Sequence, residues 1–443
     1  MPLTRQRHVS FAIAVLLGAS AVLAQSPASP TFTKDVVPIL ADHCQVCHRA
    51  GTFAPMSLMT YSEARPWAKS IKAKVAAREM PPWYIDKTLG VQHFSNDVSL
   101  SDQEIATLVK WVDSGAPQGD LADLPPPRKF PEGDVWYIGE PDMIVKLPQD
   151  IVVKARGPDQ WPDILVDPHL AEDRYIKAVQ IIPLKGHNVI HHIRTSLVEP
   201  QDDSVHSGQL DGNVALEVGE QGLFLNEYAI GKGGDMFPDG SGRLVKEGTK
   251  INFQFHLHSD GKSDTPTNVA LGLKFYPRGY VPKHSITSLT VGANDIDLRP
   301  GEADVRSDGY MPLIKPARLL SFQPHLHSRG KAECLEAIYP NGRTEMLNCA
   351  RFYFNWHLNY VYSDDAAPLL PAGTVLHSIM WHDNSVNAKF NPDPDAQITW
   401  GQRTVDEMGS AWLSYYYMSD DDFKRETADR KTKQASQQAS NAK

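Results

Sequence analysis

The chain has 443 residues, of which 41% are hydrophobic, so on length alone it has room for about three domains, each with a core of its own. Its formal net charge is −9 and it contains no run dense in Lys and Arg, which argues against a nucleic-acid binder. With only four cysteines in a chain of this size, it is not a small scaffold held together by disulfides.

The N-terminal residues have the pattern of a secretory signal peptide. Two arginines precede an apolar run over residues 11–23, and Ala24 offers a small-residue cleavage position. We interpret residues 1–24 as a cleaved signal peptide. The alternative is an N-terminal membrane anchor, although the run is shorter than the ~20 residues that cross a bilayer. No later segment is apolar enough to cross, so we expect a periplasmic or secreted protein without an integral membrane segment in its mature chain.

Residues 31–120 have the pattern of a small, compact, all-α domain. Apolar residues recur at helical spacing in FTKDVVPILADHC and PWAKSIKAKVAAR, and Ser101 with Glu104 forms a capping box before IATLVKWVDSG. Residues 121–134 are rich in proline, and they predict a semi-rigid linker that ends this domain.

After the linker the pattern changes to short runs typical of β-strands, such as KINFQFHLHS and TVLHSIMWHD, separated by turn residues. We predict two all-β domains of the jelly-roll or sandwich type, over residues 135–285 and 286–420. The charged and polar residues 421–443 predict a disordered tail.

Cys44, Cys47 and His48 form the attachment motif of a c-type haem. The two thiols lie one helical turn apart, where they can add to the haem vinyl groups, and the histidine follows as an iron ligand. A zinc site would need a second Cys/His pair. We expect Met80 as the other axial ligand, because two following prolines would fix its thioether, with Met56 as the alternative. The sequence therefore predicts one covalent haem c. The whole stretch resembles a class I-like cytochrome c domain, and His/Met ligation suits one-electron transfer.

Cys334 and Cys349 remain after the haem motif is assigned. The sequence between them contains Pro-Asn-Gly flanked by alternating apolar residues, a hairpin signal that would bring the two thiols across adjacent strands. Because the protein is expected to be exported, a disulfide is favoured over two unpaired buried thiols.

The β region contains one adjacent histidine pair and two His-x-His units. Residues i and i+2 of a strand point to one face, so His-x-His presents two imidazoles side by side and forms half of a metal site. Adjacent histidines point to opposite faces unless a bulge or a strand end lets them converge. Imidazole ligands alone do not choose between zinc and copper. The histidines concerned are His191 and His192, His256 and His258, and His325 and His327.

In the order of its motifs, the β region resembles the type II copper monooxygenases, the family of peptidylglycine alpha-hydroxylating and dopamine beta-monooxygenases. The family pattern is a His-His pair, Gln/Glu-x-His, His-x-His with a following Gly and basic residue, and Asp/Glu-Glu-Met before aromatic strands. The matching positions here are His191-His192, Gln254-Phe255-His256, His325-Leu326-His327 with Gly330-Lys331, and Asp406-Glu407-Met408 before Tyr415-Tyr416-Tyr417.

The resemblance implies two copper ions, one on each β domain, that face one another across a cleft. A soft thioether favours Cu(I), the state that meets dioxygen, which gives Met408 its implied role. His258 has no implied role as a ligand. The first ligand set, for an electron-transferring copper, is His191, His192 and His256, and the second ligand set, for the copper that binds dioxygen, is His325, His327 and Met408.

The implied reaction is hydroxylation of an unactivated C–H bond in a small organic substrate by O2, with the second oxygen atom released as water. Substrate supplies two of the four electrons, and the other two must arrive singly. We expect the fused haem to relay them to the coppers from an external donor. Two alternatives stay open: a periplasmic haem and copper protein for electron transfer or copper handling without oxygen chemistry, and a haem-bearing adhesion or scaffold protein.

Three positions limit the choice of substrate. Gln323, Ser410 and Trp412 stand where the peptide-amidating members of the family have Arg, Asn and Tyr. A peptide anchored by its carboxylate is therefore not expected, and Gln323 resembles the amine-hydroxylating branch. Three more histidines of the last domain are interpreted as packing residues: His357, His377 and His382.

Overall fold

A computed structural model describes residues 29–50, 54–128, 136–200, 224–229, 234–401 and 403–441. The expected signal peptide, residues 1–24, and part of the expected linker lie outside the described residues. Across the described ranges, no helix combines the length and the apolar character that a membrane span requires.

The N-terminal unit is helical, but its helices are short. Thr60 and Ser101 each cap a helix through a capping box, as expected for Ser101. The helices pack around a core that contains Leu40, Leu108 and the fully buried Trp111. The α-helices of this unit are α1 (Val37–His43), which a π-helical turn Phe32–Val36 precedes, α2 (Tyr61–Ala64), α3 (Ala68–Ala76) and α4 (Asp102–Asp113).

Two β units follow, as expected from the alternating pattern of the sequence. The strands of the first unit are β1 (Met143–Lys146), β2 (Ile151–Val153), β3 (Asp163–Val166), β4 (Arg174–Lys185), β5 (Ile190–Val198), β6 (Phe224–Ala229), β7 (Asp235–Met236), β8 (Ser241–Val245), β9 (Lys250–Leu257) and β10 (Thr265–Phe275).

The second unit has a similar number of strands and ends in a long one. These are β11 (His284–Ala293), β12 (Asp297–Leu298), β13 (Val305–Pro312), β14 (Ala317–Leu326), β15 (Gly330–Ile338), β16 (Thr344–Arg351), β17 (Tyr360–Val361), β18 (Leu369–Leu370), β19 (Val375–His382), β20 (Ile398–Thr399) and β21 (Gly409–Tyr417).

Each β unit is a sandwich of two layers. In the first unit the sheet β3-β9-β5-β6 covers the sheet β1-β10-β4-β8 around a core that includes Ile193, Phe253 and Leu271. In the second unit the sheet β13-β19-β15-β16 covers β11-β21-β14-β17 around Phe322 and Leu413. A short parallel pairing of β8 with β11 makes one layer continuous through both units. The predicted β-sandwich class is therefore confirmed for the β region.

The predicted disulfide is present between Cys334 on β15 and Cys349 on β16. These residues lie directly opposite each other in the antiparallel pair. The turn between the two strands contains Gly342 at φ 79°, in the left-handed region that glycine favours. The hairpin predicted from Pro-Asn-Gly is thus confirmed together with the disulfide.

Residues 83–98, which we call the docking segment, lie within the predicted helical domain but pack on the second β unit. Trp83, Ile85 and Phe94 are buried in the core of that unit. The backbone N–H of Val91 donates to the carbonyl of Leu347 at 2.8 Å. The helical unit is therefore joined to the second β unit by apolar burial as well as by the chain.

Gly90 allows the docking segment to approach β16 closely. Its φ is 64°, and a Cβ at this position would overlap the carbonyl of Leu347. We expect Gly90→Ala to lower the free energy of unfolding by about 2–4 kcal/mol, because left-handed strain and overpacking add. Urea unfolding measures this. Gly279→Ala is the matched control, since φ is 76° there and nothing lies within 4 Å of the added Cβ. Equal losses in the two variants would show that the close approach is unimportant.

The expected disordered tail is instead a helix, α5 (Asp420–Asn441). Phe423 packs against a small buried cluster that contains Tyr416, and Glu426 accepts a hydrogen bond from the buried Arg318 at 2.6 Å. A polar residue of this helix thus binds the charged side chain of Arg318 on the β unit. The composition of the tail alone did not predict this contact.

Candidate haem and metal centre

The haem motif follows the end of α1. The backbone N–H of His48 donates to the carbonyl of Cys44 at 2.8 Å, so the motif forms one compact turn. Neither Cys44 nor Cys47 is in a disulfide, and burial raises the pKa of Cys44 to about 12. The His48 Nδ1 lies 3.2 Å from the carbonyl of Met56, which can accept its proton and leave Nε2 available. Two thiols outside any disulfide and an oriented imidazole fit the demands of a covalent haem.

Met80 and Met56 differ in their surroundings. Met56 packs against the helical core, which engages its side chain in packing. Met80 follows α3, is half-buried, and directly precedes Pro81 and the docking segment. Met80 therefore stays the predicted second axial ligand, with Met56 as the alternative.

His191 and His192 converge because β5 is irregular at this point. The pairing of β5 with β9 shifts register between Ile190 and His192. Such a shift removes the strict alternation of side chains, as predicted for this pair. The two Nδ1 atoms consequently lie 3.1 Å apart.

His256 on β9 completes the first ligand set. Its Nδ1 lies 3.1 Å from the Nδ1 of His191. Its Nε2 lies 2.8 Å from Oδ2 of Asp159, so the carboxylate accepts the Nε2 proton and the Nδ1 lone pair faces His191. The hydrogen bond from His256 lowers the pKa of Asp159 to about 2. A carboxylate behind a histidine is the arrangement that orients metal ligands.

The spacing of these nitrogens fits a metal ion. With metal–nitrogen bonds of about 2.0–2.1 Å, tetrahedral ligands lie about 3.3 Å from one another. The two 3.1 Å separations around the His191 Nδ1 are close to that value. Burial lowers the pKa of His191 to about 4, so its imidazole is neutral at pH 7 and its lone pair is available. Two of the three separations within the first ligand set therefore match those of metal-bound imidazoles, and the described histidines whose ligand nitrogens all lie within 4.8 Å of one another are His191, His192 and His357.

His325 and His327 lie at the end of β14, where both are buried. Their ring centroids are 5.6 Å apart, and both Nδ1 atoms are buried without a hydrogen-bond partner. The ring of His325 stacks on Trp412 with centroids 4.1 Å apart. Burial lowers the pKa of His327 to about 4, so this half of the second ligand set is also neutral.

Met408 is brought to the second ligand set by strand register and by one buried carboxylate. Leu326 pairs with Gly409, so Met408 lies one step further along, beside His327. Glu407 accepts backbone hydrogen bonds from His327 at 2.6 Å and from Met408 at 3.0 Å. Glu407 is fully buried, and burial raises its pKa to about 7. One side chain thus ties together the two segments that carry the second ligand set.

The sequence led us to expect two separate ligand sets. In the structure they instead form one continuous histidine cluster. The ring centroids of His192 and His325 are 6.4 Å apart. The ring of His357 lies between them, 5.0 Å from His192 and 5.2 Å from His325. The expectation that His357 is an ordinary packing residue is therefore corrected. A lone histidine in an aromatic loop has no partner at strand or helix spacing, so no sequence pattern marked it as a ligand.

The remaining histidines of interest lie outside the cluster or beside it. His258 is exposed and its Nδ1 lies 2.8 Å from Asp159, consistent with its having no ligand role. His377 is buried between two carboxylates, as expected for a structural residue. The fully buried His382 lies 2.9 Å from the hydroxyl of Ser307.

Comparison with known proteins gives no family for this chain. No protein-family model and no curated protein matches the sequence. Among solved structures, the major capsid protein P2 of bacteriophage PM2 is similar at 11% identity and a TM-score of 0.26, covering 62% of this chain and 97% of that chain. VP2 of infectious bursal disease virus is similar at 8% identity and a TM-score of 0.19, covering 63% and 73%. Such low scores carry no argument about function.

Proposed function

We propose that the protein is a copper-dependent monooxygenase with a covalent haem c, and that it hydroxylates a C–H bond of a small organic substrate. The convergence of His192 and His256 on the Nδ1 of His191, at 3.1 Å each, carries the proposal. It is supported by the second buried pair, His325 and His327, and by the strand register, which brings the backbone of Met408 next to that of His327.

When bound, two copper ions would supply dioxygen activation and the storage of single electrons. Residues of the chain orient ligands of both sets. Asp159 fixes the tautomer of His256, and Glu407 holds the backbone of His327 in place. Because burial lowers the pKa of His191 and of His327 to about 4, these two imidazoles are neutral at pH 7 and can bind metal without first losing a proton.

Aromatic side chains lie next to the second ligand set. Trp412 stacks on His325, and Phe224 lies 5.9 Å from Trp412 between ring centroids. Gln323, which stands in place of the peptide-anchoring arginine of the resembling family, donates its side-chain N–H to the buried Glu227. These contacts favour a small organic substrate, such as an amine, over a peptide held by its carboxylate.

The docking segment supports a role for the haem as an electron relay. Met80, the proposed axial ligand, is separated from the buried Trp83 by only two prolines. The proposed haem ligand therefore lies only three residues before a side chain that is buried in the β unit with the second ligand set. We propose that an external donor reduces the haem, which passes single electrons to the coppers.

The decisive experiment combines metal analysis with oxygen uptake on purified, haem-loaded protein from the periplasm or medium. We expect two coppers per haem and oxygen consumption that depends on a small amine or alcohol. Copper and haem without substrate-dependent uptake would identify the copper-handling alternative instead. Less than one copper per chain would favour the adhesion or scaffold alternative. Rapid mixing of reduced protein with oxygen and substrate tests the relay, which is contradicted if the haem stays reduced through turnover.

Asp159→Asn tests the first ligand set separately. The substitution keeps the shape of the side chain but removes the charge that fixes His256, so we expect copper affinity at this set to fall about 10- to 100-fold. Competition titration against a chelator measures the affinity. Asp260→Asn is the control, because Asp260 is an acceptor in an exposed turn of the same unit. An unchanged affinity in Asp159→Asn would remove the first ligand set from the proposal.

A further inference from the structure

His357 lies on the loop between β16 and β17 of the second β unit. The loop is shaped by a tight turn in which the N–H of Trp356 donates to the carbonyl of Tyr353 at 2.8 Å. Phe354, on the same loop, stacks on His191 with centroids 5.1 Å apart. The second β unit therefore reaches across to the histidine pair of the first, and His357 is the polar residue at that contact.

Both ring nitrogens of His357 are buried without a hydrogen-bond partner. The side chain is only 3% exposed. The groups that act on it electrostatically are other histidines, among them His191 and His327. A neutral imidazole has one N–H donor and one acceptor nitrogen, and leaving both unpaired in a buried position is unfavourable. A structural histidine of this unit, His377, is instead held between Asp308 and Glu336. The environment of His357 thus lacks the hydrogen-bond partners that hold a structural histidine in place.

The geometry around His357 is that of a ligand group. One ligand nitrogen each of His191, His192 and His357 lies within 4.8 Å of the other two. The ring centroid of His357 is 5.2 Å from that of His191 and 5.0 Å from that of His192. Metal-bound imidazole nitrogens lie about 3.3 Å apart, so each pair of these nitrogens needs to approach by no more than about 1.5 Å to reach the separation of metal ligands.

We propose that His357 is a further metal ligand, contributed by the second β unit to the first ligand set. The metal at this set then has four imidazoles, three from the first β unit and one from the second, and it joins the two units directly. The inference rests on the proposed function for the identity of the metal as copper. The position of His357 next to His325 also makes it the residue that separates the two ligand sets.

The test counts imidazoles on copper at the first ligand set. The full, haem-loaded chain carries His325→Gln so that the second set does not bind, and pulsed EPR on Cu(II) counts the coordinated imidazole nitrogens. We expect four imidazoles in this background and three after the further change His357→Gln. Copper affinity should then fall by about 10-fold or more, since even loss of a ligand's hydrogen-bond partner costs that much. His377→Gln is the buried control and should leave the count at four.

A count of three before His357 is changed would overturn the inference, and this measurement does not depend on the folding of the His357 variant. An unchanged affinity in folded His357→Gln would overturn it too. The result for His357 can be distinguished from the result for the proposed function. Four imidazoles without substrate-dependent oxygen uptake would contradict the oxygenase alone, whereas normal oxygen uptake with three imidazoles would contradict the role of His357 alone.

Discussion

Met408→Leu should abolish substrate-dependent oxygen uptake while leaving the protein folded. Leucine has nearly the volume of methionine, so the half-buried site loses its thioether and little else. Without a soft ligand, the second set keeps two imidazoles and holds Cu(I) less well. We expect oxygen uptake with substrate to fall by on the order of 100-fold or more, because the loss of a ligand should exceed the loss of a ligand's support.

Met311→Leu is the matched control for this experiment. Met311 lies on β13 of the same unit and packs against its core, so the substitution repeats the change in shape away from the histidines. Copper content should fall from two ions to one per chain in Met408→Leu and stay at two in the control. Full oxygen uptake in Met408→Leu would exclude this methionine from the reaction and with it the assignment of the second ligand set.

Glu407→Ala should cause the largest loss of stability. The carboxylate is fully buried and accepts backbone hydrogen bonds from three residues, His327, Arg329 and Met408. Removing it leaves those donors unpaired in a dry environment, for which we expect a loss of about 3–5 kcal/mol in the free energy of unfolding. Denaturant unfolding of the metal-free, disulfide-intact protein measures the change independently of copper.

Glu407→Gln separates hydrogen bonding from charge. Its amide oxygen still accepts from one or two of the backbone donors, so we expect a smaller loss, about 1–3 kcal/mol. A loss in Glu407→Ala no larger than that in Glu407→Gln would show that the three backbone contacts contribute little. In that case the alignment of Met408 with His327 would depend on strand pairing alone.

Features set by neighbouring residues were predictable from the sequence. The capping box at Ser101, the hairpin between Cys334 and Cys349 and the alternation of the β runs all depend on contacts a few residues apart. The need for a bulge at His191 was also predictable, because two adjacent histidines cannot otherwise face one metal. The convergence of the two adjacent histidines was therefore predictable from local stereochemistry, whereas the choice of His256 as their partner came from the family resemblance.

Features that depend on distant parts of the chain were not predictable. His357 gains its role from the approach of two β units, and its sequence neighbours show no metal-binding spacing. Trp83 and Phe94 occur in a stretch that reads as part of a helical domain, although their burial partners lie on the second β unit. In the tail, Glu426 and Arg430 have the i, i+4 spacing of a helical ion pair, a signal that the polar composition obscured.

The docking segment also determines how this protein can be divided. A chain cut at the Pro-rich linker would keep both sandwiches but lose Trp83, Ile85 and Phe94, which fill part of the second core. Trp83 packs edge-on against Tyr360, with ring centroids 4.8 Å apart. Loss of Trp83 would therefore expose an apolar surface that is prone to aggregation. The β region should therefore not be separable at that boundary. Exchange of the helical unit for another domain would require residues 83–98 to be kept with the β units.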